Sequence, residues 1–338
     1  YNVATMEPIV RAFLESKGVE IRMATRVNDV AMKDGAIAAI LGKEGDETVR
    51  FSAGAYVDAT GTAGPPGQCT KYGNGCVLCV LRCLTFGGRA SVTALCGVRE
   101  LVGKKGSQIG AMSGSCKLLK ESLSTDIVGE LNRKGVAVIP IPVSLQKEVQ
   151  TSIKACQQYA IPEFKANLVL LDTGHAKLMV PFFPLAALRK IGGFEYARYE
   201  DPYAGGMGNS IRYVGMSPRD DGLKVQGVEN LFCAGEKAGL LVGHTEAIVT
   251  GTLAGFNAVR LIRGDRPLVL PRSLAAGDAI GFVREQMGTE EGLGCKFTFS
   301  GSVYFERMKE MGLYTMERAA VLKRVNKAGL LDIFKGGN

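Results

Sequence analysis

Three groups of residues in this chain have types and spacings suited to chemistry. The first is Ala234-Gly235-Glu236, which follows an apolar strand pattern from Val228 to Cys233, with Gly243-His244-Thr245-Glu246-Ala247 opening a long helical run of small residues. A strand, a glycine turn and a helix start together suit an anionic or electron-rich ligand, because the first turn of a helix presents backbone N–H groups and a partial positive charge. Glycines let the backbone come close to what is bound. Taken alone, the same pattern also describes an α/β crossover that binds nothing. His244 stands at the helix start as a candidate donor or cation, with a packed or capping histidine as the plain alternative. The second group is Ala59-Thr60-Gly61, which closes the apolar strand Ala55-Tyr56-Val57-Asp58.

The third group is Cys69, Cys76, Cys79 and Cys83, spaced C-x6-C-x2-C-x3-C. If residues 75 to 84 form a helix, Cys76, Cys79 and Cys83 share one face. Three thiolates there, with Cys69 from a loop, could hold an iron–sulfur cluster or zinc. Cys76 and Cys79 could instead be a redox pair, with Arg82 stabilising a thiolate. A third reading has no chemistry, since Val77, Leu78, Val80 and Leu81 make the segment apolar all round and cysteine buries readily. The spacing matches neither a ferredoxin run nor a two-knuckle zinc ribbon.

The elements that must position these residues follow from periodicity and turn signals. A helix precedes Gly18-Val19-Glu20. Strand patterns fill 19 to 61, with Asp34-Gly35 a strong hairpin signal. Helical patterns cover 89–103, 116–134 and 145–160, and strand patterns 136–145 and 166–172. Pro181 to Pro184 and Gly205 to Gly208 punctuate loops. On the return path Arg212, Tyr213, Arg219 and Asp220 read as a solvated hairpin, with substrate contact as the alternative, and Asp221-Gly222 begins another turn. The helix from His244 runs to Arg263, with Gly264 as its C-cap. A further helix spans 273–287, and an amphipathic helical pair broken at Gly312 fills 303–334. That tail would pack on its own domain or serve a partner subunit or oligomer. His175 ends a strand at Asp172-Thr173-Gly174.

At 338 residues the chain suits about two domains. Its composition, 46% apolar and 22% charged, supports a substantial core. The net charge of +8 is scattered. It suits solubility as well as an acidic or nucleic-acid partner, and nucleic acid stands second to a small-molecule substrate or electron donor. Nine cysteines, an odd number, favour metal or redox use over a disulfide framework. No run of eighteen uncharged apolar residues occurs and the start is not a signal peptide, so a cytoplasmic protein with no membrane partner is expected. No hydrolase triad or zincin motif is present.

The wording of the first two groups resembles a known family. Asn230 to Glu236, Gly243 to Ala247 and Gly251-Thr252-Leu253-Ala254-Gly255 are similar to the C-terminal flavin motif of the glucose-inhibited division protein A superfamily and its folate-dependent tRNA-methylating relatives. The order Gly18-Val19-Glu20, β-meander, Asp58-Ala59-Thr60-Gly61 adds to the likeness. The resemblance implies an α/β fold: a Rossmann-like FAD/NAD(P)-binding domain, N-terminally incomplete, with an inserted α+β substrate domain and a helical C-terminal tail. It divides the chain into 1–62 with 225–270, an insertion at 63–224, and an extension at 271–338. By position, Gly235 and Glu236 would touch the ribityl chain of FAD, with Ala234 beside them. Gly243, His244, Thr245, Glu246 and Ala247 would lie near the flavin ring, and Ala59, Thr60 and Gly61 would pass beside the cofactor. Such proteins begin with a strand and a G-x-G-x-x-G turn; none precedes the Ala-Thr-Gly strand here, and Tyr1 opens the chain, so a truncated or split flavoprotein is expected.

The function implied is FAD-dependent oxidoreduction; no catalytic cysteine is carried over from the family, and the residues' own types and spacing make His244, Cys76 and Cys79 the catalytic candidates and Cys69, Cys76, Cys79 and Cys83 the candidate metal ligands. The cysteine cluster, as redox thiols or as ligands of an iron–sulfur cluster, would exchange electrons with the flavin. The alternatives are a tRNA-uridine-modifying flavoenzyme and a non-catalytic subunit or scaffold with a degenerate flavin fold.

Overall fold

Asp34 and Gly35 both take positive φ, 50° and 78°, the primed-turn geometry that matches the twist of two antiparallel strands. They join β1 (Thr25–Lys33) to β2 (Ala36–Glu44), and a turn at Gly45 leads to β3 (Glu47–Phe51), giving a three-stranded antiparallel meander. Ahead of it, α1 (Val3–Ser16) ends at Gly18, whose φ of 79° permits the bond from Val19 N to Leu14 O. The computed structural model describes residues 3–61, 90–105, 108–109, 111–112, 116–146, 166–178, 185–199, 211–212 and 215–335.

β4 (Tyr56–Asp58) leaves the meander for a different sheet. Beyond it lies α2 (Val92–Leu95), capped by the Ser91 side chain. The helix expected over 89–103 is only this one turn, because Gly97 takes φ 78° and Leu101–Val102 depart as β5. Short strands follow: β6 (Lys104–Lys105), β7 (Gln108–Ile109), β8 (Ala111–Met112) and β9 (Cys116–Leu118). The helix expected over 116–134 likewise divides. Ser124 is extended and its side chain accepts from Ile127 N, so α3 begins at Thr125 and runs to Lys134, where Gly135 takes φ 73°.

α3 packs against β10 (Val136–Pro140) and β11 (Asn167–Asp172), and with β12 (Ala176–Leu178) and β9 these form a four-stranded sheet in the order β10-β11-β12-β9. Leu118, Ile127, Leu131, Leu168, Leu170 and Leu178 fill a core beneath it, which α4 (Leu185–Leu188) and Phe194 close. This inserted unit therefore owns its core. The expected strand at 166–172 is present, whereas the one expected at 136–145 stops at Pro140, and Val143–Leu145 turn as a 3-10 helix after Pro142. The helix expected at 145–160 and the loops at Pro181–Pro184 and Gly205–Gly208 fall almost entirely outside the described residues.

The chain returns through β13 (Ile211–Arg212), paired with β8, and β14 (Gly215–Met216), paired with β5. β15 (Leu231–Cys233) then pairs with β4 in parallel, Leu231 opposite Tyr56 and Cys233 opposite Asp58. The connection between them returns the chain to the same sheet edge, the topology of an α/β fold. α5 (His244–Ile262) covers β15, burying Leu253, Ala254 and Ala258 with Phe232, Leu231 and Tyr56. Phe232 is fully buried, a contribution of about 1.5–3 kcal/mol. Val92 joins the same core, with Leu95 and Val98 packed against it.

The C-terminal elements are α6 (Ala275–Gln286), α7 (Glu290–Leu293), α8 (Ser302–Glu310) and α9 (Arg318–Lys327). α6, α8 and α9 answer to the expected helices, with the break at Gly312, whose φ is 63°; the single turn of α7 was not expected. α6 and α8 build a third core with Leu240, Leu241 and Phe297, so they pack on the segment that leads into α5. Asp278 on α6, fully buried, accepts two bonds from Arg307 on α8, and that guanidinium lies over the Phe282 ring. No helix among the described residues is long and apolar enough to cross a membrane.

Candidate functional site

The parallel pairing of β4 and β15 carries Ala59-Thr60-Gly61 and Ala234-Gly235-Glu236 off the same sheet edge, side by side. Ala234 N donates to Asp58 O at 3.0 Å, which fixes the spacing. Gly61 and Gly235 turn with φ of 69° and 62°, a conformation that residues with a Cβ adopt only under strain. The carboxyl ends of parallel strands are where α/β sheets place their ligands. Around Gly235 an added Cβ would meet nothing within 4 Å, so the backbone there is open to approach.

α5 supplies the second wall. His244, Thr245 and Ala247 are exposed at its N-terminus. Thr250, one turn further and fully buried, accepts a bond from Gly235 N at 2.8 Å and donates to Glu246 O at 2.8 Å. The glycine turn is thereby tied to the helix. Glu246 is arranged differently from the sequence expectation: its carboxylate is buried and accepts from Phe299 N at 2.6 Å. What Glu246 can offer a ligand is its backbone at the helix start. A Cβ on Gly243, whose φ is 150°, would fall 2.1 Å from Glu246 Oε2, so this position is reserved for glycine.

Beneath the two turns lies a polar network that sequence reading did not single out. Asp58 is fully buried; its Oδ1 accepts from Thr60 N at 3.1 Å and Thr60 Oγ1 at 2.6 Å. Its Oδ2 accepts from Thr93 N and Thr93 Oγ1, both at 2.8 Å. Thr93 Oγ1 also lies 2.6 Å from Ser217 Oγ; having given its proton to Asp58, it accepts from Ser217. Ser217 N donates to Lys237 O. Lys237, fully buried, donates to Glu100 and to Ser91 Oγ. Lys237 follows Glu236 in sequence, where a lysine reads as a solvated charge. The signal that it is buried lies only in residues 91 to 100, far away along the chain.

Arg219 corrects another expectation. It does lie on a hairpin, bridged to Val225, but its side chain is buried there and not solvated, being 1% exposed. It donates to the carbonyl oxygens of Ala238, Asp220 and Ile280, tying the turn after Gly235 to α6. Burial lowers its pKa. Cys233 lies nearby, its thiol pushed up to about 12 by burial, and Cys96 is pushed up to about 11 by burial and then by Asp58. Both are protonated at neutral pH and poor nucleophiles. His175 sits in the β11–β12 turn, where its carbonyl accepts from Thr173, at the end of the inserted sheet. Cys69, Cys76, Cys79 and Cys83 lie outside the described residues. Among the described residues no group of three or more His, Cys, Asp or Glu side chains is placed to hold a metal ion.

Two glycine turns at the ends of parallel strands, one of them tied to the helix that follows, form an arrangement that α/β folds use for dinucleotides. The relatives narrow this. Residues 179–266, which carry β15, the Gly235 turn and all of α5, match the family model described as Glucose inhibited division protein A. The chain is GidA-like over this stretch, as its motifs imply. The methylenetetrahydrofolate–tRNA-(uracil-5-)-methyltransferase TrmFO of Bacillus cytotoxicus is 40% identical over 55 residues, 16% of this chain and 12% of that protein. The TrmFO proteins of Bacillus mycoides and Bacillus cereus match to the same extent. Two solved structures of Aquifex aeolicus GidA are similar at 15% identity. The form I crystal gives a TM-score of 0.47 over 95% of this chain and 62% of that one. The form II crystal gives 0.42 over 89% and 57%. The matched stretch is thus a small part of the curated relatives' length.

Proposed function

We propose that this chain holds FAD between the Thr60-Gly61 turn, the Gly235-Glu236 turn and the N-terminus of α5, and serves an oxidoreductase. One observation carries this reading: β4 and β15 are parallel neighbours, so two turns far apart in sequence leave the sheet side by side, one of them bonded to Thr250 of α5. Gly235 and Glu236 would lie along the ribityl chain. The backbone of Thr245 to Ala247 would face the pyrimidine edge of the ring, where the helix start favours the developing negative charge of reduced flavin. His244, exposed at the same helix start, would add a donor or cation. Bound FAD would supply hydride and electron transfer; the chain's own groups orient it and keep water from it. The inserted unit, whose described core lies between Leu118 and Tyr199, would present the substrate, and Cys76 and Cys79 would be the electron-exchange partners to test.

A second reading, tRNA-uridine modification with the same cofactor, is favoured by the TrmFO likeness and suited by the positive balance of +8. Titrating FAD into the purified chain, read by quenching of flavin fluorescence and by the visible spectrum, tests the shared core of both. Saturable uptake is expected, and it should be lost in Gly235→Val, which fills the open approach. A chain that takes up no FAD sinks the proposal. Retardation of tRNA by the FAD-loaded chain, set against a small-molecule electron donor that bleaches the flavin, separates the two readings.

A further inference from the structure

Several buried polar groups in this fold form one connected set of hydrogen bonds. Asp58 is the hub. It takes four bonds from Thr60 and Thr93, so it holds the Thr60-Gly61 turn and the start of α2 together. From Thr93 the set passes through Ser217 to the carbonyl of Lys237, inside the 3-10 turn Gly235–Ala238. Lys237 Nζ closes the circuit by donating to Ser91 Oγ at 2.7 Å and pairing with Glu100. Ser91 Oγ in turn donates to Glu100 Oε1 at 2.6 Å and accepts from Ala94 N, capping the same helix that bears Thr93. Asp58, Thr93, Ser217 and Lys237 are all fully buried. A ring of this kind is costly when half-satisfied and rigid when complete, because each buried polar atom relies on its neighbour for a partner.

We infer that Asp58, Thr93, Ser217 and Lys237 are positioning residues that couple the two ligand-facing turns, so that the Thr60-Gly61 turn and the Gly235-Glu236 turn become ordered, or loosen, as one unit. The functional meaning of that coupling rests on the FAD reading above: a cofactor touching either turn would find the other already in place. The coupling itself is a property of the ligand-free chain. The carboxylate is essential to it, since only an acceptor with two oxygens can take bonds from both threonines while donating none. Asp58→Asn places an NH2 group against donors and leaves one side unpaired.

Hydrogen–deuterium exchange on the full chain without FAD tests this, read by mass spectrometry in peptides covering 55–61 and 233–239. Peptides from β10 and β11, which lie in a separate core, report global unfolding. Thr93→Val and Ser217→Ala alter neither turn directly. Each is expected to speed exchange in both turn peptides by about tenfold or more, with the β10 and β11 peptides unchanged. Lys237→Met should do the same at 55–61, across the ring from its own site. Thr93→Ser, which keeps the hydroxyl, should restore wild-type exchange in both. If Thr93→Val or Lys237→Met loosens only the nearer turn, or if Thr93→Ser fails to restore both, the coupling is overturned. Because no cofactor is present, a chain that later proves unable to bind FAD would defeat the functional reading and leave this result standing.

Discussion

Replacing Thr250 by Val removes one hydroxyl and almost no volume, and it isolates the link between the Gly235 turn and α5. Thr250 Oγ1 accepts from Gly235 N at 2.8 Å and donates to Glu246 O at 2.8 Å. The second bond is a back-bond to a carbonyl that the helix ladder already serves, so its loss weighs little. The first leaves Gly235 N–H without its partner. A buried donor stripped of its acceptor costs ~1–3 kcal/mol, and because Gly235 is only half-buried the lower part of that range applies, ~1–2 kcal/mol. Urea unfolding of Thr250→Val should therefore show a lower midpoint at an unchanged slope. Thr250→Ser, which keeps the oxygen, should stay within ~0.5 kcal/mol of wild type in this respect. FAD affinity should fall in Val and hold in Ser. Two results would refute the reasoning: a loss below ~0.5 kcal/mol for Val, or an equal loss for Ser and Val, which would assign the effect to packing.

Glycines on α5 should behave in opposite ways. Gly243→Ala forces a Cβ into Glu246 and an unfavourable φ, and is expected to destabilise by ~2 kcal/mol or more, whereas exposed Gly255→Ala meets nothing and should stabilise by up to ~1 kcal/mol; denaturation of both, with losses of similar size, would contradict this. Asp221 is desolvated, which raises its pKa, but the bonds from Arg284 outweigh that and hold it below the usual carboxylate value. Its folded pKa being depressed, the stability it contributes is present above about pH 4, the unfolded value, and is lost as pH falls through the folded one. Acid unfolding of Asp221→Asn should be flatter in that window than wild type, and parallel curves would count against the pair. Cys233, with its thiol pushed up to about 12, should resist iodoacetamide at neutral pH until the chain unfolds; peptide mapping that finds it alkylated in the folded chain would show that the β15 core opens.

Much of the frame was legible because its signals are local. Asp34-Gly35 marks its turn through two residues that tolerate positive φ, and Gly264 and Gly312 mark helix ends in the same way. The parallel pairing of β4 with β15 was not read, since nothing in Tyr56 to Asp58 says which strand it pairs with; likeness only set both turns beside one cofactor. The network under the turns was not legible. Asp58 stood in a quoted motif, but Thr93, Ser217 and Lys237 become its partners only once four separate segments are folded together. Arg219 misled, and Lys237 went unread, for one physical reason: hydropathy assigns a charge to solvent, whereas these cations are buried on carbonyl oxygens or on a carboxylate. The helical readings of 89–103 and 116–134 overran because a single Gly97 or Ser124 ends or starts an element against a helical background.

The pairing of β4 with β15 also sets an order in time. During synthesis Tyr56 emerges roughly 170 residues before the strand it needs, a wait of about 10–35 s at ~5–20 residues per second. Over that interval the inserted unit, whose core draws only on residues 118 to 199, has everything it requires to fold. Its completion shortens the chain that must close between the two strands and lowers the entropy of bringing them together. The nascent chain thus pairs β4 with β15 only after the insert between them has been made. Slow ribosomal passage through 200 to 260, or a damaged insert, would expose the unpaired first strand to misassembly before its partner arrives.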